Sequence, residues 1–263
     1  MSPARRRLFL MLMTVVAVAA LVVGGVAIVA TLGGGVAPVA QDLPGPVLLV
    51  PGYGGSTESL EVLAQDLREA GRDATVVALA GDGTGDLGVQ AGVLADAAEA
   101  ALQRTGAPSV DVVGYSAGGV VTRLWLREGG GAALTRRVVT LGSPHHGTSI
   151  AGLAVSVLPD QCPTACRQLV PGSDLLRALN AGDETPEGPG YVSIWTTDDE
   201  TVTPPDSARL DGALNLVVQD VCPGTVVSHS DLPRNPVVGA MVLREIGAEA
   251  TEALDAGDCA SLS

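Results

Sequence analysis

Six short runs of aliphatic and β-branched residues recur between segments of helical character, and this alternation leaves few folds open to the chain. The runs are PVLLV (46–50), ATVVALA (74–80), SVDVVGYS (109–116), RRVVTLGS (136–143), YVSIWTT (191–197) and ALNLVVQDV (213–221). Helices are expected over about 57–70 with Ser56 as N-cap, 89–103, 117–127, 236–247 and, shorter, near 172–181. Strands this continuously apolar must be covered on both faces, and their alternation with helices implies parallel pairing. The expected class is therefore α/β, a mostly parallel central sheet with helices on both faces. At 263 residues the chain fits one domain of ordinary size plus an appendage.

The appendage is N-terminal. Arg5, Arg6 and Arg7 precede an uncharged stretch of 25 residues, Leu8 to Leu32, followed by the linker GGGVAPVAQDLPGP. That stretch is longer than the ~7 to 15 residues of a signal-peptide core and sufficient for the ~20 that span a bilayer. Residues 1–40 are read as a hydrophobic helix, signal peptide or membrane anchor, plus linker, with an uncleaved anchor favoured; residues 41–263 are read as the catalytic domain. Either form leaves the arginines inside and exports the rest, to the outer face of the cytoplasmic membrane or the medium. Past residue 40, 12 arginines face 29 carboxylates, a balance of −17. Nucleic acid and anionic lipid are poor partners for such a surface, whereas neutral substrates are not disfavoured.

Four cysteines in an exported chain favour two disulfides, and the expected pairs are Cys162 with Cys166 and Cys222 with Cys259. A zinc site would need a second close Cys or His pair, and none follows Cys166. The acidic turn GDGTGD (81–86) lacks the ligand pattern of a calcium loop. No metal or cofactor is expected.

Within the third run, Gly114-Tyr115-Ser116-Ala117-Gly118 is G-x-S-x-G at a strand-to-helix junction. There a serine is held in a sharp turn that only small neighbours permit, with its hydroxyl raised above the sheet and beside a helix N-terminus. A serine hydroxyl needs a base, usually a histidine oriented by a carboxylate. Of the histidines, His145 and His146 follow the fourth run and read as loop or pocket-wall residues. His229, after the last run, is the one preceded by acidic residues at strand ends. In this architecture the order along the chain is serine, acid, histidine, so His229 is the expected base. The acid candidates are Asp198, Asp199, Glu200, Asp206 and Asp220. Asp199, leaving the fifth run, is preferred over Asp198, and the other two carboxylates of DDE are expected to lie in a solvated turn. Oxyanion donors are expected from the amides of Ala117 and of Tyr53 in the glycine-rich loop VPGYGGS, each worth roughly 3 to 4 kcal/mol. The apolar stretch Ile150 to Leu158 either borders an acyl pocket, touches a lipid interface or forms an ordinary buried helix.

At these residues the chain resembles the α/β-hydrolase lipases, in particular the compact bacterial triacylglycerol lipases. VLLVPGYGGS is similar to the oxyanion loop of that family, GYSAGG to its nucleophile elbow, LGSPHHGT to a segment of its lipase branch, SIWTTDDETV to its acid loop and VSHSDL to its histidine loop. Pro51 departs from the histidine that many members carry before the glycine. The resemblance spans roughly residues 46–250. It implies the α/β-hydrolase fold, Ser116, Asp199 and His229 as triad, Tyr53 and Ala117 as oxyanion donors, and a monomer acting on a small-molecule or lipid ester through an acyl-enzyme. The alternatives are an acyltransferase, thioesterase or peptidase using the same triad, or an inactive, membrane-tethered binding module.

Overall fold

The computed structural model describes residues 38–262, all within one compact unit, Ala37–Ser263. The hydrophobic stretch expected as signal peptide or anchor lies outside the described residues. Among the described residues no helix is long and apolar enough to cross a membrane.

Each of the six apolar runs contributes one strand: β1 Val47–Val50, β2 Ala74–Val76, β3 Val110–Tyr115, β4 Thr135–Leu141, β5 Gly190–Trp195 and β6 Leu214–Val217. They form one sheet of order β2-β1-β3-β4-β5-β6, and every neighbouring pair is parallel. Side chains alternate along each strand, so both faces are used. Val47 and Leu49 of β1 join Val113 and Val139 in a core under Leu60, Leu63 and Leu67 of α1 (Glu58–Glu69) and Val238 and Met241 of α8 (Pro236–Glu245). Leu48 and Val50 join Val112 and Val138 on the other face, under Leu94 and Ala98 of α2 (Leu87–Thr105) and Val120, Leu124 and Trp125 of α3 (Ala117–Glu128). This double burial explains why the strands read as mostly apolar runs rather than as alternating ones.

Several expected boundaries move. Helix α1 takes Thr57, not Ser56, as N-cap, with no side-chain cap bond. Helix α2 begins two residues before the expected Val89 because Asp86 of GDGTGD caps it, accepting from the N–H groups of Gly88 and Val89. The ALNLVVQDV run is strand only to Val217. It then turns into the short helix α7 (Val218–Val221), where the Gln219 amide donates to Thr196 Oγ1 and Asp198 Oδ2. The remaining helices, α4 (Ser149–Val157), α5 (Thr164–Gln168) and α6 (Asp174–Leu179), fill the long excursion between β4 and β5. The cysteines pair as Cys162–Cys166 and Cys222–Cys259; the second bridge closes a separation of 37 residues, which contributes roughly 3 to 4 kcal/mol if it acts by restricting the unfolded chain.

The N-terminal ends of the strands are tied off by charge. Asp111, at the start of β3, receives Arg72 at 2.6 Å and Arg136 at 2.7 Å, and the two guanidiniums also bind the carbonyls of Gly45, Ile246 and Gly247. A buried pair like this is costly to break from one side. The opposite, C-terminal ends are left to the loops that carry chemistry.

One buried carboxylate has no ion-pair partner among the described residues. Glu245, at the end of α8, is 1% exposed, and burial pushes its carboxyl up to about 7 from the usual 4.5, against the pull of Arg137 and Arg244. A carboxyl raised on folding stabilises fully below its unfolded value, and that contribution is lost as pH climbs from about 4.5 through about 7. Glu245→Gln is therefore expected to stabilise the fold at pH 9, by on the order of 2 kcal/mol, and to change little at pH 4. Urea melts of both proteins at the two pH values check this.

Candidate active site

In an open parallel sheet, ligands bind beyond the carboxyl ends of the strands where the strand order reverses. Here that point lies between β1 and β3. Ser116 stands at it, between the last residue of β3 and the first of α3, with φ 51° and ψ −127°. It is the single non-glycine residue with positive φ among the described residues. Such a conformation costs about 1 to 3 kcal/mol and persists only where the surroundings impose it. They do so through the Ser116 N–H, which donates to Leu141 O at 2.9 Å, and through packing that admits no side chain at Gly118, where a Cβ would lie 2.2 Å from Val50 O.

Three loops bring their side chains to this hydroxyl. His229, in the loop after β6, has Nε2 3.0 Å from Ser116 Oγ and Nδ1 2.7 Å from Asp199 Oδ2. Asp199 follows β5, and its other oxygen accepts from the N–H groups of Thr201 at 2.9 Å and Val202 at 2.7 Å. An ionised carboxylate only accepts, so Nδ1 carries the imidazole proton and Nε2 is left to accept from Ser116. His229 and Asp199 are both 5% exposed, so the pair interacts with little screening by water.

The sequence-expected residues separate cleanly. Asp199 reaches the imidazole, whereas Asp198 Oδ2 accepts from the Gln219 amide and from Val227 N–H. Asp198 and Glu200 are exposed, as expected of a solvated turn, but the turn is also tied to the histidine loop: Glu200 Oε2 accepts from the backbone N–H of His229 at 3.1 Å. All three carboxylates of DDE thus bind residues 227–229. His145 is fully buried, with Nε2 against Thr140 Oγ1 at 3.1 Å, and burial holds its pKa well below the ordinary value. It supports the loop as a neutral ring. His146 lies 2.9 Å from Glu184. Neither His145 nor His146 reaches Ser116. Asp206 and Asp220 lie in the helical turns Pro205–Ala208 and Val218–Val221, away from the imidazole.

The amides of Ala117 and Tyr53 have no acceptor among the described residues, and both residues border the serine. Gly52 brings the Tyr53 loop close: a Cβ there would meet Ser116 Cβ at 2.9 Å. Sequence reading missed Gly142, just after β4, with φ 53°. A Cβ there would lie 2.6 Å from Leu232, 3.1 Å from Asp199 Oδ2 and 3.2 Å from His229 Nδ1. The signal was a glycine directly following a strand end, in LGSPHH.

A cleft of about 260 Å³ runs from Ser116 along α4, lined by Tyr53, Pro144, Ile150, Ala154, Cys166, Leu169 and Val202 among others. Helix α4 is not an ordinary buried helix. Only Ala151 is buried, while Ile150, Leu153 and Val157 are exposed. Among the described residues no cluster of His, Cys, Asp or Glu is built to hold a metal, and Asp82 is occupied by Thr84 within its own turn.

The fold that carries this serine, histidine and carboxylate is shared with known proteins. Aspergillus fumigatus lipase B superposes with a TM-score of 0.68 at 20% identity, covering 83% of this chain and 56% of that one. The mature Bacillus licheniformis lipase BlEst2 does so with 0.58 at 23% identity, covering 68% and 84%. Residues 94–222, just under half the chain, match the family described as Lipase (class 2). The chain has the α/β-hydrolase fold. It spans little more than half the length of the Aspergillus protein, and identities this low carry the fold alone. The family match runs from within α2 to Cys222, just past α7, and includes Ser116 and Asp199 but not His229. The product of gene lin2722 from Listeria innocua shares the fold at 15% identity and a TM-score of 0.56, covering 80% of this chain and 97% of its own. No curated protein matched the sequence.

Proposed function

We propose that this α/β-hydrolase cleaves neutral carboxylic esters through an acyl-enzyme. The observation that carries the reading is the hydrogen-bonded chain from Ser116 Oγ through the His229 imidazole to Asp199. Ser116 attacks the ester carbonyl while His229 Nε2 takes its proton, and Asp199 stabilises the imidazolium that forms. The amides of Ala117 and Tyr53 donate to the oxyanion of the tetrahedral intermediate. His229 returns the proton to the departing alkoxide. Water, activated by the same nitrogen, then releases the carboxylic acid and frees the serine.

The acyl chain is assigned to the cleft along α4, whose lining is mostly aliphatic. Ala154→Phe, which fills that cleft, is expected to lower kcat/KM for an octanoate ester by about 10-fold or more, in the range one lost apolar contact surface commands, and to affect an acetate ester little. A chain-length series on both proteins checks it. Two disulfides suit an oxidising compartment, and we read the protein as an exported monomer, with residues 1–40 as its export signal or anchor. Hydrolysis of p-nitrophenyl esters by the wild type and by Ser116→Ala, with and without added alcohols, tests the reaction. Serine-dependent release of acid supports a hydrolase; acyl products formed only with the acceptor would make it a transferase. No turnover by the folded wild type leaves the binding-module alternative.

A further inference from the structure

His229 is held by more than its ring. Its backbone N–H donates to Glu200 Oε2 at 3.1 Å, and its backbone carbonyl accepts from the Tyr115 hydroxyl at 3.2 Å. The Tyr115 ring also lies against the imidazole, with centroids 5.2 Å apart and planes tilted by 32°. Glu200 is the residue after the carboxylate that orients the imidazole, and Tyr115 is the residue before the serine that the imidazole serves. Each end of the Ser116–His229–Asp199 chain therefore also grips the peptide backbone of the residue in the middle.

From this bracket we propose that Glu200 and Tyr115 are positioning residues, which hold the main chain of His229 so that Nε2 stays in reach of Ser116 Oγ through proton transfer in both directions. The inference rests on the ester-hydrolase reading above. A base that must shuttle a proton twice per turnover needs its ring fixed to within a fraction of an ångström, because a misplacement of about 1 Å costs on the order of 100-fold in rate. The neighbouring Val227 is already tied down, its N–H donating to Asp198 Oδ2 and its carbonyl accepting from Thr196 Oγ1. A loop carrying a histidine 30 residues beyond its acid has no regular secondary structure at that residue other than a six-residue 3-10 turn, His229–Arg234. The bracket adds a hold on the main chain of His229 itself, from two sides. Burial first, and then the charges of Asp199 and Glu200, push the Tyr115 phenol up to about 12, so its hydroxyl stays a donor well into alkaline pH. Glu200 is exposed, yet its carboxylate is engaged by a backbone N–H, which no substitution of the histidine itself would reveal.

Glu200→Ala, Glu200→Gln and Tyr115→Phe separate the contributions. Gln keeps a carbonyl oxygen for the His229 N–H, and Phe keeps the ring while removing the hydroxyl. Rates are taken per active site titrated with a fluorophosphonate, so that unfolded protein does not enter, and thermal midpoints are recorded alongside. Glu200→Ala is expected to lower kcat on p-nitrophenyl butyrate by about 10-fold with KM within about 2-fold, and Tyr115→Phe by about 3- to 10-fold, the range of one neutral or charge-assisted hydrogen bond. Glu200→Gln is expected to recover most of the loss. A kcat per titrated site within 2-fold of wild type in both Glu200→Ala and Tyr115→Phe overturns the inference, as does a loss that appears only in KM. A thermal midpoint that falls while kcat per site holds overturns it too, because the residues are then structural alone. These results are distinct from failure of the hydrolase reading, in which the wild type itself neither titrates nor turns over.

Discussion

Asp199→Asn is expected to lower kcat by about 10,000-fold without unfolding the protein, as the corresponding change does in a serine protease. The argument is one of donors and acceptors. Asp199 accepts on both oxygens, from His229 Nδ1 on one and from the amides of Thr201 and Val202 on the other. Asparagine has one oxygen and one NH2 group. With its oxygen kept on the two backbone amides, the loop is preserved and the NH2 faces Nδ1. Two donors cannot face each other, so the imidazole adopts the tautomer with its proton on Nε2, and Nε2 can no longer accept from Ser116 Oγ. With the oxygen turned to Nδ1 instead, two amides lose their acceptor in a site 5% exposed, at roughly 1 to 3 kcal/mol per unsatisfied group. The first arrangement is favoured, giving a folded, nearly inactive protein. Circular dichroism and steady-state kinetics on short-chain esters measure the two halves of the prediction.

The second large effect is on stability and activity together. Gly118→Ala puts a methyl group 2.2 Å from Val50 O and 2.6 Å from Pro51 O, both backbone atoms with nowhere to rotate. Helix α3 must retreat from the end of β1, opening the elbow. The expected cost is about 3 kcal/mol or more, at the upper end of overpacking substitutions. Activity in whatever remains folded falls by about 100-fold, because Ser116 and the Tyr53 loop lose their mutual registration. Gly92→Ala is the control. It lies within α2, where a Cβ has nothing within 4 Å, and is expected to stabilise by roughly 0.5 to 1 kcal/mol. Chemical denaturation of the three proteins reads both signs. If Gly118→Ala melts like Gly92→Ala, the account of the elbow is wrong.

These two substitutions also mark what is legible in the sequence. The strands are legible because parallel strands buried on both faces are predominantly apolar, and each of the six runs contains one. Ser116 is legible because a side chain in its backbone conformation needs glycine-sized neighbours within two residues, which is a local pattern. What links Ser116 to His229 is not local. The choice between Asp198 and Asp199 depends on which way adjacent side chains point across a gap of some 30 residues, and spacing cannot carry that. The same distance hid Glu200, whose partner is a backbone N–H and so leaves no mark on residue type. Gly142 was hidden for a different reason, because the space its side chain would occupy is taken by Leu232, Asp199 and His229 from two other loops. Helix α4 was left open for a related reason, since its apolar composition suits a pocket border, an interface or a buried helix equally well, and only the packing around it leaves Leu153 at 60% exposure.

The central claim is that Ser116, activated by His229 and Asp199, is the group that attacks substrate. Mass spectrometry of the protein after a fluorophosphonate probe tests it most directly. One adduct per chain, on the peptide containing Ser116 and absent from Ser116→Ala, is the predicted result. An adduct on another residue, or none on folded protein with both disulfides intact, would contradict it.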